Sequence, residues 1–195
     1  MKYILSKIPI GARSVIAGAH AFWLHPFFVL AAWIELYGIP IDPRIYISIF
    51  LHDIGYVFCR DIDGTEGERH PELAARIMGR LFGKEWHDLC LYHSRHYAKM
   101  AGAKPSRLCF ADKLSFCYQI KPLYLFMTML TGELEEYLGN AKYWNKGEYV
   151  NADKQIPASV WYDDLVVWIK KYIEKHKDGA EDLVTVDRRV SATKY

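Results

Sequence analysis

A chain of 195 residues with 51% hydrophobic and 15% aromatic side chains holds enough apolar material for one compact domain with a sizeable core. Charged residues make up 25% and the formal net charge is +2, a balance that excludes a nucleic-acid binder argued from charge alone. The four cysteines, Cys59, Cys90, Cys109 and Cys117, form no C-x-x-C pair and no zinc-ribbon spacing, so they read as buried thiols in a reducing compartment.

Met1 to Ile10 is a mixed stretch with Lys2, Lys7 and Pro9 and does not read as a targeting segment, which points to the cytoplasm. The most apolar run, Phe27 to Ile34, is far short of the ~20 residues of a membrane span, so a buried core helix is expected and no membrane partner. That helix runs from Pro26 to Tyr37 and ends at Gly38. Asp42-Pro43 has the form of an N-cap followed by proline in the first turn, predicting a helix from Pro43 to about Asp53, bent or broken at Gly55. Arg60 to Arg69 reads as a polar loop. His70-Pro71-Glu72 restarts a helix through Leu73, Ala74, Ile77, Met78 and Leu81 to Gly83.

A further helix is expected over about Trp86 to Tyr97, then a loop over Lys99 to Lys104. Pro105 opens the next helix, whose apolar face includes Leu108, Ala111 and Phe116. Pro122 starts another helical stretch, ending near Thr131-Gly132. Glu133 to Leu138 follows, and then a polar, aromatic-dotted connection from Gly139 to Pro157. The aromatic-rich segment Tyr143 to Tyr162, with Trp144 and Trp161, is read as sealing the core rather than lining a base-binding pocket. Val160 to His176 forms an amphipathic C-terminal helix, and Glu181 to Tyr195 a loose tail. With no strand signal and no internal repeat, the expectation is an all-α single helical bundle over residues 1–180.

Several polar residues stand out against this apolar background. His52-Asp53 follows Phe50-Leu51 and precedes Ile54-Gly55, so two polar side chains end an apolar helix. Buried there, they must be paired, hydrated or metal-bound. Asp112 lies within the run Leu108-Cys109-Phe110-Ala111 and Leu114, where an ionised carboxylate needs a cation, and Lys113 points about 100° away from it on a helix. His25, His70 and His93 also sit near predicted helix ends. Imidazole and carboxylate together suit Mn, Fe, Co, Ni or Zn, with Mg also open. Two alternatives remain at this point: His20 competes with His25, and His96 competes with His93 as an i, i+3 pair on one helix face.

The order His25, His52-Asp53, His70, His93, Asp112 resembles the ligand order of the HD-domain superfamily of metal-dependent phosphohydrolases. The local words FLHDIGY, RHPELAARIM, LYHSRHYA and RLCFADKLSF resemble that family's motifs and together span about half the chain. The resemblance implies an HD-type helical bundle with its metal core over about residues 20–120. It implies that His25, His52, Asp53 and Asp112 hold one divalent ion, and that Asp53 bridges to a second held by His70 and His93. It implies hydrolysis of a phosphate ester or anhydride in a small-molecule substrate such as a nucleotide. Asp53, His96 and Lys113 would be the catalytic residues, with His96 a proton donor or a partner of the ligands, and Arg69, Arg95 and Lys99 would contact the phosphate. The acidic pair of stringent-response hydrolases is absent, since Gly55-Tyr56-Val57 stands after His52-Asp53. The words of cyclic-di-GMP phosphodiesterases and deoxynucleoside monophosphatases are absent as well, so no subtype is singled out. A di-iron oxygenase on the same six ligands is the rival activity, and a non-catalytic binding module the rival class. A homo-oligomer stays open.

Overall fold

The computed structural model describes residues 8–144 and 156–177, and these are all-α, with no strand among the described residues. Ten α-helices appear there in chain order: α1 (Ile10–Ala17), α2 (His25–Tyr37), α3 (Pro43–Leu51), α4 (Pro71–Phe82), α5 (Lys84–Leu91), α6 (Arg95–Met100), α7 (Arg107–Ser115), α8 (Lys121–Thr131), α9 (Glu133–Trp144) and α10 (Ala158–His176). Short 3₁₀ turns cover Ile54–Phe58, Gly67–Arg69 and Phe116–Tyr118. No helix among the described residues is long and apolar enough to cross a membrane. The tail expected from Glu181 onward lies outside the described residues.

Most helix ends follow from local chemistry. Asp42 caps α3 by accepting the Arg44 N–H at 2.9 Å, with Pro43 in the first turn. Proline also sits in the first turn of α2, α4 and α8. Gly83, at φ 94°, joins α4 to α5 through a connection that an L side chain would strain.

The sequence did not announce three features. Helix α1 has no distinctive cap and was not expected. The helix expected over Trp86 to Tyr97 is broken: α5 ends at Leu91, and Ser94 starts α6 by accepting the His96 N–H at 3.2 Å. His93 therefore lies in the break, and His93 and His96 do not share a helix face. The connection placed from Gly139 is helical as far as Trp144, because α9 continues through Gly139. A smaller difference is that α7 opens at Arg107 after Ser106, not at Pro105.

The main core draws Val29, Ala32 and Trp33 from α2, Ala74 and Met78 from α4, Leu108 and Ala111 from α7, and Ile169 and Ile173 from α10. Helix α4 packs chiefly on α5, and α2 on α7. A second, smaller cluster of Val15, Tyr56, Cys59 and Ile62 joins α1 to the Ile54–Phe58 turn. Tyr162 is buried, its ring 4.7 Å from that of Phe116, and its hydroxyl donates to the Gln119 carbonyl, which fits the core-sealing role expected of it. Cys59, Cys90 and Cys109 are buried and Cys117 is half-buried, none of them in a disulfide, and burial pushes the thiols of Cys59 and Cys90 up to about 11.

The helical face of α4 gives a direct test. Met78→Ala empties a fully buried site and should lower stability by about 2–5 kcal/mol. Leu81→Ala, on the solvent face at 63% exposure, should stay within about 0.5 kcal/mol. Urea titration of both variants checks the pair, and equal losses would mean that α4 presents a different face to the core.

Candidate metal centre

Two groups of potential ligands converge in the described structure: His25, His52, Asp53 and Asp112 in one, and Asp53, His70 and His93 in the other. Each group comes from separate helix ends. His25 opens α2, His52 and Asp53 follow α3, His70 precedes α4, His93 follows α5, and Asp112 lies within α7. Asp53 occupies the sparsely used bridge region, at φ −98° and ψ 1°, where the chain turns from α3 into the 3₁₀ turn.

The Asp53 carboxylate divides between the groups. Its Oδ2 lies 3.2 Å from both His25 Nε2 and His52 Nε2. Its Oδ1 lies 3.5 Å from both His70 Nε2 and His93 Nε2. Asp112 Oδ1 closes the first group at 3.1 Å from His25 Nε2 and 3.5 Å from His52 Nε2.

Three of the imidazoles are oriented by one device. His52, His70 and His93 each direct Nδ1 at the backbone carbonyl three residues earlier: Ile49 at 2.7 Å, Gly67 at 2.5 Å and Cys90 at 2.5 Å. A carbonyl only accepts, so each Nδ1 carries the hydrogen. In the neutral ring Nε2 is then a bare lone pair. His70 Nε2 and His93 Nε2 stand 2.8 Å apart, lone pair against lone pair, with Asp53 Oδ1 alongside. Such a cluster of acceptors could hold a metal ion.

The spacings fit a transition ion. Metal–N and metal–O bonds of about 2.0–2.2 Å, meeting at right to tetrahedral angles, separate ligand atoms by about 2.8–3.6 Å. The five pairs of the first group that include a histidine span 3.1–3.5 Å, and the three of the second span 2.8–3.5 Å. The buried Asp53 Oδ2 faces only the His25 and His52 rings, each at 3.2 Å, so its charge is met by protons on those rings or by a cation.

The two groups differ in how they respond to protons. Burial opposes charge on His25 and His52, yet Asp112 and Asp53 outweigh it and raise both above the ordinary imidazole value. Burial likewise opposes charge on Asp53 and Asp112, but the surrounding imidazoles hold both below the carboxylate range. Burial, with His93 alongside, pushes His70 down to about 3. Protons can thus stand in for a cation in the first group, while His70 is neutral near pH 7.

The remaining candidates lie outside both groups. His20 does not join His25, and His96, half-buried at the start of α6, does not join His93. Lys113 is half-buried next to Asp112, and Lys99 is exposed. Arg69 pairs with Glu72 at 3.2 Å, and Glu72 also accepts from the Tyr97 hydroxyl. The Arg95 guanidinium lies 5.3 Å from the centre of the Tyr172 ring. In the loop, Asp61 and Glu66 accept backbone N–H groups of the loop itself, at Gly67 and Arg60. Tyr56, which the sequence did not mark, stacks on His70 at 3.9 Å and 8°.

Comparison with protein-family models, with curated proteins and with solved structures finds no match to this chain.

Two outcomes are expected from metal binding. In elemental analysis after loading with Zn or Mn, Asp53→Ala should lose both ions, whereas His96→Ala should keep the parent content; metal loss in His96→Ala would contradict the ligand set. Filling the first group should release protons, because His25 and His52 are raised, and its affinity should fall as pH drops through their range. Filling the second should release none from His70 at pH 7. Calorimetry in two buffers of different ionisation enthalpy, on the parent and on His70→Ala, separates the two steps.

Proposed function

We propose that this chain is an HD-type metal-dependent phosphohydrolase acting on a small-molecule phosphate ester or anhydride. The observation that carries the reading is the Asp53 carboxylate, shared between two converging sets of imidazole and carboxylate acceptors. That observation supports a one- or two-ion centre, and the mixed N/O donor set favours a divalent transition metal. The hydrolytic assignment draws on the resemblance of the HDIG, HP and ADKL words to the HD-domain superfamily.

A divalent ion held there supplies a nucleophile by lowering the pKa of water and offsets charge on phosphoryl oxygens. The chain's own residues do the rest. His52, His70 and His93 are fixed in one tautomer by backbone carbonyls, so their Nε2 atoms stay aimed without reorganisation. Asp112, with 26% of its side chain exposed, is the most open of the six ligands, so substrate approaches on its side. Lys113 adds positive charge next to it, and His96, three residues beyond His93, is the candidate proton donor to the leaving group.

The test is phosphate release from p-nitrophenyl phosphate, bis(p-nitrophenyl) phosphate and a nucleotide panel, with Mn, Co, Ni, Fe, Zn or Mg added to protein purified without chelator. Metal-dependent release is expected, reduced at least about 10²-fold in Asp53→Ala. Two bound irons with oxygen consumption and no phosphate release would make the chain a di-iron oxygenase. Neither metal nor turnover would leave a binding module.

A further inference from the structure

A second polar cluster lies against the metal centre, and neither the ligand set nor the hydrolytic reading uses it. Glu133, at the start of α9, is fully buried. Its carboxylate accepts from the Ser14 hydroxyl at 2.5 Å, the Thr131 hydroxyl at 2.5 Å, the Ala19 N–H at 3.1 Å and the Tyr137 hydroxyl at 3.1 Å. Burial alone would raise its pKa, but donors including His20, Ser14 and Thr131 hold it below the ordinary value, so it is an anion. The approach is close enough to dictate Gly18: a Cβ there would stand 1.8 Å from Glu133 Oε2.

The hydrogens in this cluster can be assigned one by one. Ser14 has a single hydroxyl hydrogen, and it goes to Glu133. Ser14 Oγ is then an acceptor for the His20 backbone N–H at 3.3 Å and for His20 Nδ1 at 2.8 Å. His20 Nδ1 therefore carries the hydrogen, and in the neutral ring Nε2 is a lone pair with no hydrogen-bond partner among the described residues. The ring is 17% exposed. It stands 5.6 Å from the His25 ring and 4.4 Å from Tyr56, which itself stacks on His70. His20 thus abuts the first ligand group directly, and the Tyr56 ring separates it from the second.

We propose that His20 is a substrate-contacting hydrogen-bond acceptor on the rim of the metal centre, its tautomer locked through Ser14 by the buried Glu133. Its Nε2 takes an O–H or N–H of the molecule bound at the metals, so the substrate class narrows to phosphates that present such a donor. The proposal rests on the metal-centre reading above. A merely structural histidine would make the same Ser14 contact but would not respond to ligand at Nε2.

Imidazole-detected ¹H–¹⁵N NMR on the metal-free and Zn-loaded protein, titrated with inorganic phosphate as a P–OH donor, reads this directly. The Nδ1–H tautomer is expected in both forms, with a shift of the His20 Nε2 resonance on adding phosphate. His20→Asn places an amide near Nδ1 and removes Nε2, while His20→Gln restores a polar atom near Nε2. His20→Asn should bind zinc and melt like the parent yet lose about tenfold in kcat/KM for p-nitrophenyl phosphate, with part recovered in His20→Gln. An Nε2–H tautomer would overturn the proposal, as would phosphate binding seen by ³¹P NMR without an Nε2 response; in both cases the metal centre stands. Failure to bind zinc would overturn the metal centre and the proposal with it.

Discussion

The Asp53 carboxylate serves two groups of acceptors, its buried Oδ2 facing only the His25 and His52 rings. Everything around it follows from that demand. Two carboxylates and four imidazoles, all but Asp112 buried, converge on two points. In water each would be solvated separately. Brought together in a helical core they repel unless positive charge lies between them. Protons answer this only in the first group, where both carboxylates face His25 and His52. In the second, where Nε2 of His70 and Nε2 of His93 stand 2.8 Å apart, one carboxylate oxygen faces His93 and the neutral ring of His70. A metal ion held between them would relieve that repulsion, and any ion bound to the native state alone would add to its stability.

That arrangement persists because the rings are held by backbone. Placing a histidine just past the end of a helix, or of a 3₁₀ turn, lets its Nδ1–H satisfy a carbonyl left over at that end. The same contact aims Nε2 inward. The device occurs at His52, His70 and His93 and needs no other side chain. His25 is the exception, since it opens a helix, and its buried Nδ1 has no partner. The two groups come within reach of one carboxylate because Gly55 lets the 3₁₀ turn press against the His70 backbone, where a Cβ would stand 2.0 Å from the carbonyl oxygen. The glycine after His52-Asp53 is thus a packing requirement as much as a helix stop.

Much of this was legible in the sequence because it is local. Asp42-Pro43, Gly38, His70-Pro71 and Gly83 mark helix ends by chemistry confined to a few residues. His52, Asp53 and Asp112 were conspicuous as polar residues in apolar runs. The features that escaped are those set by distant contacts. The break after Leu91 has no proline or glycine; Ser94 caps the new helix, and the Tyr92 carbonyl is taken by the Ser106 N–H, a pairing fourteen positions apart (106 − 92). Without the break, His93 and His96 looked interchangeable. Helix α1 lacks a cap side chain and is held by tertiary contact, with Gly11 N–H donating to the Cys59 carbonyl at 3.1 Å. Glu133, in a stretch that reads as an ordinary acidic helix start, gave no hint of complete burial.

Among the described residues, those beyond Asp112 carry none of the candidate ligands, yet they help to enclose the site. Glu136 accepts the Ile62 and Asp63 N–H groups at 2.9 and 2.7 Å, holding the loop that leads from the His52-Asp53 turn to His70. Glu133 holds Ser14 and Ala19, and through Ser14 it holds His20. Helix α9 therefore reaches, through two carboxylates, the segment before His25 and the loop before His70. These contacts are hydrogen bonds to backbone and hydroxyl groups, which any acidic helix could make if it were placed there. They leave no pattern in the sequence, because their specificity lies in where α9 packs and not in which residues it carries. A metal centre can accordingly have ligands that read clearly in half a chain while its second layer depends on the other half.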